Sequence, residues 1–185
     1  MSKFFTSDFH LEHKNIMMFQ PASRKGDNLE QMKDMIFTNI SEQMKPGDDL
    51  YNLGDFSFGT FEQIENALIT INKMRINHHF VFGNHDRRIM ESPQLQCYFS
   101  SVSGEKTITV DKKVIIMSHF KKAVWDRAHY GSIHLHGHGH ADYQPIFDRA
   151  IDVGIDTRAA GDMKMYPIED VMRIASYSTV KTKHH

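Results

Sequence analysis

The sequence predicts an α/β protein, and three observations support this class. Short runs rich in β-branched and aromatic residues alternate with longer segments whose apolar residues recur at helical spacing. The 185 residues can bury a sizeable core as one domain, and contents of 40% apolar and 24% charged residues are ordinary for a globular protein. Aspartates, histidines and glycines follow several of the β-type runs directly. We expect one domain over residues 1–180, with residues 181–185 as a disordered tail or tag remnant.

The N-terminal half predicts three strands and two helices. Thr60 and Gln63 fit a capping box, in which each side chain accepts a hydrogen bond from the other residue's backbone N–H at the start of a helix. The methionines of the first long helical segment are expected in the core, because they recur on one helical face. The elements are expected in the order strand 3–7, helix 28–44, strand 50–53, helix 60–74 and strand 78–82.

The C-terminal half predicts a hairpin, two further strands and a closing helix. Pro167 suits the first turn of that helix, where its missing N–H costs no hydrogen bond. A polar stretch at residues 91–106 is expected to be irregular. The strands are expected at residues 107–110 and 114–117, which form the hairpin, and at residues 132–136 and 150–153.

Composition and charge narrow the class of protein. The net charge of −1 gives no general attraction to nucleic acid or to an anionic membrane, although nucleic acid stays open as a substrate. Cys97 is the one cysteine, which excludes an intrachain disulfide and a thiolate metal cluster and fits a reducing compartment. There is no run of about 18 apolar residues and no signal-peptide core, so we expect a cytoplasmic protein without a membrane partner. The residues do not specify an oligomeric state.

Five of the predicted strands end in residues that bind metals. Strand ends at the same edge of a sheet can converge although they are distant in sequence. Aspartate and histidine supply the oxygen and nitrogen donors that divalent transition metals accept, and asparagine supplies a neutral oxygen. A single structural zinc is the alternative, but it needs four ligands and more often uses cysteine. So many donors fit two ions better. They are Asp8 and His10, Asp55, Asn84 with His85, His119, and His138 with His140.

The order of these motifs resembles the calcineurin-like metallophosphoesterase superfamily, and in particular its small phage and bacterial members without an added domain. The resemblance covers nearly the whole chain. It implies an α/β fold of two mixed β-sheets packed as a sandwich with flanking helices. The motifs are Asp-x-His at Asp8, Gly-Asp at Gly54, Gly-Asn-His-Asp at Gly83, the histidine His119, and Gly-His-x-His at Gly137.

The resemblance also implies two divalent metal ions and their ligands. Asp55 is expected to bridge the ions, because one carboxylate has two oxygens. Manganese is the metal expected first, with iron, nickel, cobalt and zinc as alternatives for the same donors. One ion would be held by Asp8, His10, Asp55 and His140, and the other by Asp55, Asn84, His119 and His138.

The activity implied is that of a metallophosphoesterase, a hydrolase that cleaves phosphate esters. We expect a phosphodiester substrate that is small or nucleotide-like, attacked by a hydroxide that bridges the two ions. His85 is expected to act as general acid on the leaving oxygen, with Asp86 holding the imidazole tautomer. Alternatives are a phosphomonoesterase or a nuclease of the same chemistry, and a metal-binding scaffold without catalysis.

The chain departs from the family pattern after His119. Many relatives place an aromatic residue and a proline there, whereas this chain has Phe120-Lys121-Lys122, so the loop up to Trp125 is not predicted. The Asp-Arg-Gly and Gly-Asn-His-Glu signatures of the Ser/Thr protein phosphatases are missing, which argues against that branch. The spacing between motifs leaves no room for a capping domain, so we expect a shallow, open site.

The remaining histidines and the basic residues have two interpretations each. His134 and His136 alternate with His138 and either support the site or are structural. Trp125, His129 and Tyr130 either wall the substrate pocket or simply pack. His78 and His79 open a strand and are expected to be structural. The basic residues near the motifs either contact a second phosphate or lie on a solvated surface. They are Arg87, Arg88, Lys121, Lys122 and Arg127.

Overall fold

Two mixed β-sheets form the centre of the computed structural model, which describes residues 1–141, 149–158 and 160–177. The first sheet has the strand order β4-β3-β2-β1-β9, with only β9 antiparallel to its neighbour, and the second has the order β5-β6-β7-β8, with only β5 antiparallel. The expected α/β architecture is therefore confirmed. The strands are β1 (Lys3–Thr6), β2 (Asp49–Asn52), β3 (Asn77–Val81), β4 (Ser101–Ser103), β5 (Lys106–Val110), β6 (Lys113–Met117), β7 (Ile133–His136), β8 (Ala150–Asp152) and β9 (Tyr166–Pro167).

Helices flank the sheets, and the two longest begin at the capping residues that the sequence provides. The Asn28 side chain accepts the N–H of Gln31, and Thr60 and Gln63 form the predicted capping box. The α-helices are α1 (Ile16–Phe19), α2 (Leu29–Gln43), α3 (Phe61–Asn72), α4 (Arg87–Met90), α5 (Pro93–Gln96) and α6 (Ile168–Ser176). Among the described residues, no helix is long and apolar enough to cross a membrane.

Two parts of the C-terminal half differ from the prediction. The stretch 91–106 is not irregular, since it contains α5, capped by Ser92, and the strand β4. Both are too short for a hydrophobic period to reveal them. Pro167 lies just before α6 rather than in its first turn, and it pairs with Phe4 in the edge strand β9. An edge strand tolerates proline because the missing N–H would face away from the sheet. The predicted tail at 181–185 lies outside the described residues.

The core has two layers because successive side chains of the first sheet point to opposite faces. Phe4 and Phe80 pack against helices α2 and α3 in one apolar cluster. Their neighbours Phe5 and Val81 pack in a second cluster, which lies between the two sheets and includes Leu135 from β7. The second cluster fixes the two sheets against each other, so the strand ends of both sheets are held at one edge.

The two sheets meet in atomic contact at this edge. Ser7, just after β1, forms a parallel bridge with Gly154, just after β8. The N–H of Ile155 donates to the Ser7 carbonyl at 3.2 Å. A Cβ atom at Gly137, which follows β7, would overlap the Ser7 side chain, so this close approach requires glycine. The residues after β1, β7 and β8 are therefore neighbours.

His78 generates a prediction about stability. Its ring is 1% exposed, lies 4.7 Å from the Phe99 ring, and neither ring nitrogen has a hydrogen-bond partner among the described residues. Burial, and secondarily His79, lowers the pKa of His78 to about 3. Because the folded state resists a proton that the unfolded chain accepts near pH 6.5, this group removes stability as pH falls from 6.5 towards 3.

We therefore expect His78→Leu to weaken the acid dependence of stability. Between pH 7.5 and 4.5 the variant should lose roughly 3 kcal/mol less of its free energy of unfolding than the wild type, from about 1.4 kcal/mol per pKa unit. Urea unfolding of metal-stripped protein at both pH values measures this. Exposed His129, changed to Leu, is the matched control. Equal losses in His78→Leu and the wild type would contradict the prediction.

Candidate metal centre

The loops after five strands bring all seven predicted ligands to one edge of the molecule. The first sheet supplies side chains after β1, β2 and β3, and the second supplies them after β6 and β7. The backbone is hydrogen-bonded across this edge as well, with the N–H of Asp8 donating to the carbonyl of Gly54 at 2.9 Å. The side chains are Asp8 and His10, Asp55, Asn84, His119, and His138 with His140.

The side chains form two groups. Within each group, the potential ligand atoms all lie within 4.8 Å of one another. Asp8, His10 and His140 make up the first group. Asp55, His119 and His138 make up the second, and Asn84 joins it because its Oδ1 lies 2.9 Å from His119 Nε2. The division agrees with the two predicted sets, while the ligand roles themselves stay a prediction.

Asp55 belongs to the second group and also faces the first. Its Oδ2 is 3.4 Å from His119 Nε2 in the second group and 3.6 Å from His10 Nε2 in the first. Burial opposes ionisation of this carboxyl, but hydrogen bonding and attraction from His119 outweigh it, so the pKa of Asp55 is lowered. An ionised carboxylate that faces both groups is the donor that two neighbouring cations could share.

Much of the site is built on strained backbone. Left-handed conformations, with φ of +60° at Asp8, +49° at His10, +55° at Asp55, +66° at His138 and +44° at His140, occur at five of the seven positions. Residues with side chains seldom adopt this region, and such strain collects at functional sites. The turns direct successive side chains into the site instead of alternating them across a strand.

His10 provides the test of whether metal ions fit these residues. Its ring is buried, and neither ring nitrogen has a hydrogen-bond partner among the described residues. Burial lowers the pKa of His10 against the opposing effect of Asp8, which favours the neutral imidazole that a metal requires. The buried, neutral imidazole of His10 lies 3.6–3.8 Å from carboxylate oxygens of Asp8 and Asp55, which is too far for a hydrogen bond. Its ring nitrogens are therefore available to bind a cation. The residues therefore fit divalent cations.

Hydrogen bonds through Nδ1 fix the rings of His119 and His140, so that each presents its Nε2 atom to the site. His119 donates from Nδ1 to the Leu53 carbonyl at 2.8 Å. His140 donates from Nδ1 to Asp156 Oδ2 at 2.7 Å. Burial opposes protonation of both imidazoles, but the carboxylates of Asp55 and Asp156 outweigh it, and the pKa of each histidine is raised. A partner on Nδ1 sets the tautomer and the ring orientation of a metal-binding histidine.

Asp156 and Arg24 support the candidate site through hydrogen bonds, and neither was predicted from the sequence. Arg24 donates to Asp156 through Nε at 2.7 Å and through Nη2 at 2.6 Å, and through Nη1 to the Phe9 carbonyl at 2.8 Å. Burial raises the pKa of Asp156, but His140 and Arg24 outweigh this and lower it to about 2. The pair thus connects the turn after β1 with His140. Asp156 could have been recognised from the segment Gly154-Ile155-Asp156, which lies just after β8. It repeats the pattern of a strand followed by glycine and aspartate.

Asp86 occupies a different position from the predicted one. Its buried carboxylate accepts the backbone N–H of Asp55 at 2.7 Å, of Phe56 at 2.9 Å and of Gly83 at 2.7 Å. Within the described residues no hydrogen bond joins it to the His85 ring. We therefore correct its predicted role: Asp86 fixes the loops after β2 and β3 to each other and does not hold the His85 tautomer.

His85 lies at the open side of the site. Its side chain is 42% exposed, and its Nε2 is 3.9 Å from Asp55 Oδ2. The backbone N–H of His85 donates to Asp55 Oδ1 at 3.0 Å, which fixes the position of the residue. An imidazole beside the Asp55 carboxylate and open to solvent can exchange a proton with a bound molecule.

Several other candidates have structural contacts. His134 is buried, with Nδ1 3.3 Å from the Ile116 carbonyl and Nε2 accepting the N–H of Lys122 at 3.1 Å, so it supports the loop after β6. Trp125 donates to Ser132 Oγ at 3.1 Å and packs 5.4 Å from the His134 ring. Burial lowers the pKa of His136 to about 4 and keeps it neutral. These contacts favour the packing interpretation for all three.

Comparison with solved structures bears on the fold. A protein of unknown function from Aquifex aeolicus matches with a TM-score of 0.73 and 23% identity over 93% of this chain and 98% of that one. The nuclease MPE from Pseudomonas putida matches with a TM-score of 0.48 and 14% identity over 89% and 86% of the two chains. An archaeal phosphodiesterase matches with a TM-score of 0.47 and 15% identity over 83% and 84%. The first shows a shared fold, and the other two are too distant to support an argument.

A scan against protein-family models gives no match to this sequence, and a search of curated proteins gives none either.

The two groups generate a prediction about metal content. Wild-type protein incubated with Mn²⁺ should retain about two ions per chain, as in other two-metal sites. His140→Ala should retain about one, because only the first group loses a donor, and Asp55→Ala should retain fewer than one, because both groups lose the shared carboxylate. Elemental analysis after desalting measures this. Exposed His129→Ala should keep the wild-type content. A wild-type content in His140→Ala would contradict the assignment.

Asp156 generates a second prediction. Asp156→Asn keeps the shape but removes the charge that orients His140, so affinity for Mn²⁺ should fall 10- to 100-fold, the usual effect of losing such a partner. Titration against a chelating dye measures the affinity, with near-UV circular dichroism to verify folding. Asp170→Asn is the matched control, because Asp170 forms its ion pairs with Arg158 and Arg173 away from the centre. An affinity within twofold of wild type would remove Asp156 from the site.

Proposed function

We propose that this protein is a dinuclear metal-dependent phosphoesterase that hydrolyses phosphodiesters. One observation carries the proposal: two His/Asp groups lie side by side with the Asp55 carboxylate between them and the exposed His85 imidazole 3.9 Å from that carboxylate. The order of motifs along the chain supports the same activity. Manganese is our first choice of metal, since it accepts the mixture of carboxylate, amide and imidazole donors.

The proposed ligands are divided between the two groups. Asp8, His10 and His140 would hold one ion with Asp55, while Asn84, His119 and His138 would hold the other with the same carboxylate. When bound, two such ions neutralise phosphoryl oxygens and make a water molecule acidic enough to act as nucleophile at neutral pH. The two aspartates remove two of the four positive charges, so the centre keeps a net attraction for an anionic ester.

The chain's own residues then place the proton. His85 enters the reaction as an imidazolium whose N–H faces the bound ester, and it donates that proton to the leaving oxygen as the P–O bond breaks. The Asp55 carboxylate fixes the His85 backbone through Oδ1, and its Oδ2 lies 3.9 Å from His85 Nε2. Asp86 keeps the Asp55 and Gly83 loops in register, so its contribution to catalysis is positional.

His85→Ala tests the proposed role of the imidazole. We expect kcat for a diester with a poor, alkoxide leaving group to fall at least tenfold, within the usual range for general acid catalysis, and kcat for a p-nitrophenyl diester to fall less, because nitrophenolate needs little protonation. Metal content should stay at the wild-type value. His129→Ala is the control. Full activity of His85→Ala on the poor leaving group would remove His85 from the mechanism, and inactivity of the metal-loaded wild type on all esters would contradict the function.

A further inference from the structure

Two clefts meet at His138, and each lies against one of the two metal-binding groups. The first has a volume of about 340 Å³ and includes His10, His140 and His85 in its walls. The second has a volume of about 460 Å³ and is lined by Phe120, Lys121, Lys122, Ala123, Gly137 and His138. Both volumes lie in the range of ligand-binding pockets. The proposed centre therefore has two neighbouring spaces for substrate groups.

The first cleft has aromatic walls. The Phe58 ring is 37% exposed and lies 4.5 Å from the His85 ring and 5.3 Å, stacked, from the His10 ring. Phe19 is 58% exposed and lies 5.8 Å from His13, which lines the same cleft. Because the general acid His85 is in this cleft, the leaving group of the substrate belongs here.

The second cleft has an aromatic and a basic wall. Phe120 is 51% exposed, and its ring lies 4.7 Å from the His138 ring and 5.0 Å from the His119 ring. Lys122 is held by an ion pair with Glu105, whereas the adjacent Lys121 is exposed to solvent. A group bound here would contact the Phe120 ring, next to the second metal-binding group, and the exposed ammonium group of Lys121.

Half of the exposed aromatic side chains in the described part of the chain lie at these two clefts. Single exposed apolar residues are normal and need no explanation. Among the described residues, six phenylalanines and tyrosines are more than a third exposed, and three of them line the clefts. These three are Phe19, Phe58 and Phe120, whereas Phe61, Tyr130 and Tyr177 lie outside both clefts. Exposed rings flanking an anion-binding centre are the arrangement on which nucleobases stack.

We propose that the two clefts bind the two substituents of a phosphodiester that each carry a planar ring, as in a dinucleotide or the end of a single-stranded oligonucleotide. The inference rests on the proposed function and adds the substrate class. Water adds its oxygen to phosphorus and releases a proton to solvent, and the P–O bond to the substituent in the cleft beside Phe58 breaks. The leaving oxygen takes a proton from His85, which regains one from solvent, and departs as an alcohol, while the second substituent stays in the cleft beside Phe120 as a phosphomonoester.

Charge limits the length of substrate that the site holds. The net charge of −1 and the exposed Lys121 beside Phe120 provide little attraction for a long polyanion. Recognition therefore depends on the two stacked rings and the one phosphate between them, and a strand would be bound near its end and not along its length.

The decisive experiment compares two esters that share a leaving group. One is the p-nitrophenyl ester of thymidine monophosphate and the other is methyl p-nitrophenyl phosphate, so only the retained substituent differs.

With the Mn²⁺-loaded protein we expect a higher kcat/KM for the thymidine ester. In Phe120→Ala the ratio of the two kcat/KM values should fall roughly 5- to 100-fold, the loss expected from one base stacking on an aromatic ring. Phe120→Leu, which keeps the apolar bulk, should lose most of the ratio as well. Phe61→Ala should keep it.

A binding measurement gives a readout that does not depend on turnover. A dinucleotide in which CH₂ groups replace both bridging ester oxygens cannot be hydrolysed, and a 2-aminopurine base in it loses fluorescence when it stacks. We expect saturable quenching with the wild type and Phe61→Ala, and a Kd at least fivefold weaker with Phe58→Ala or Phe120→Ala.

The outcomes separate this inference from the function on which it rests. Hydrolysis of both p-nitrophenyl esters with an unchanged ratio and unchanged quenching in Phe120→Ala would overturn the two clefts alone. Absence of hydrolysis of every ester would overturn the function together with the clefts. Hydrolysis of a dinucleotide is compared with hydrolysis of a single strand of ten nucleotides, to distinguish the two sources of the ligand. Equal kcat/KM values for the two substrates indicate dinucleotides. At least tenfold faster release of product from the strand indicates oligonucleotide ends.

Discussion

The carboxylate of Asp86 is the interaction on which the geometry of the centre depends. It accepts three backbone N–H groups, two from the loop after β2 and one from the loop after β3. A Cβ atom at Gly83 would come within 2.6 Å of the Asp55 nitrogen, so the two loops touch as closely as backbones can. Asp55, Asn84 and His85 are all carried by these loops. Their relative positions are thus fixed by one buried side chain.

The second sheet is joined to this arrangement through buried polar contacts. The N–H of His138 donates to both oxygens of Asp8, at 3.1 and 3.0 Å, and Arg24 and Asp156 connect the turn after β1 with His140. The first candidate group, Asp8, His10 and His140, is accordingly assembled from both sheets. A mostly apolar core positions the sheets, while a few hydrogen bonds set the distances between donors to within the reach of a cation.

Sequence could predict the parts of the structure that depend on repeated local signals. The capping box at Thr60 and Gln63, the run of β-forming residues in β1 and the Asp and His residues at strand ends are each visible in a few adjacent residues. The roles of Arg24, Asp156 and Asp86 were not predictable in the same way. Their partners are 132 positions away for Arg24 with Asp156, and 30 or 31 for Asp86 with Phe56 and Asp55. No periodicity records such a pairing, and the aspartate beside His85 in sequence accepts backbone N–H groups of other residues.

The left-handed backbone at five of the proposed ligands affects how well the folded protein resists proteolysis. A residue with a side chain is held in that conformation at a cost of about 1–2 kcal/mol, so this edge is a locally strained part of an otherwise regular fold. Any cation that binds only the folded chain offsets this cost by mass action. Resistance of the folded protein to proteolysis would then rise with the concentration of such a cation.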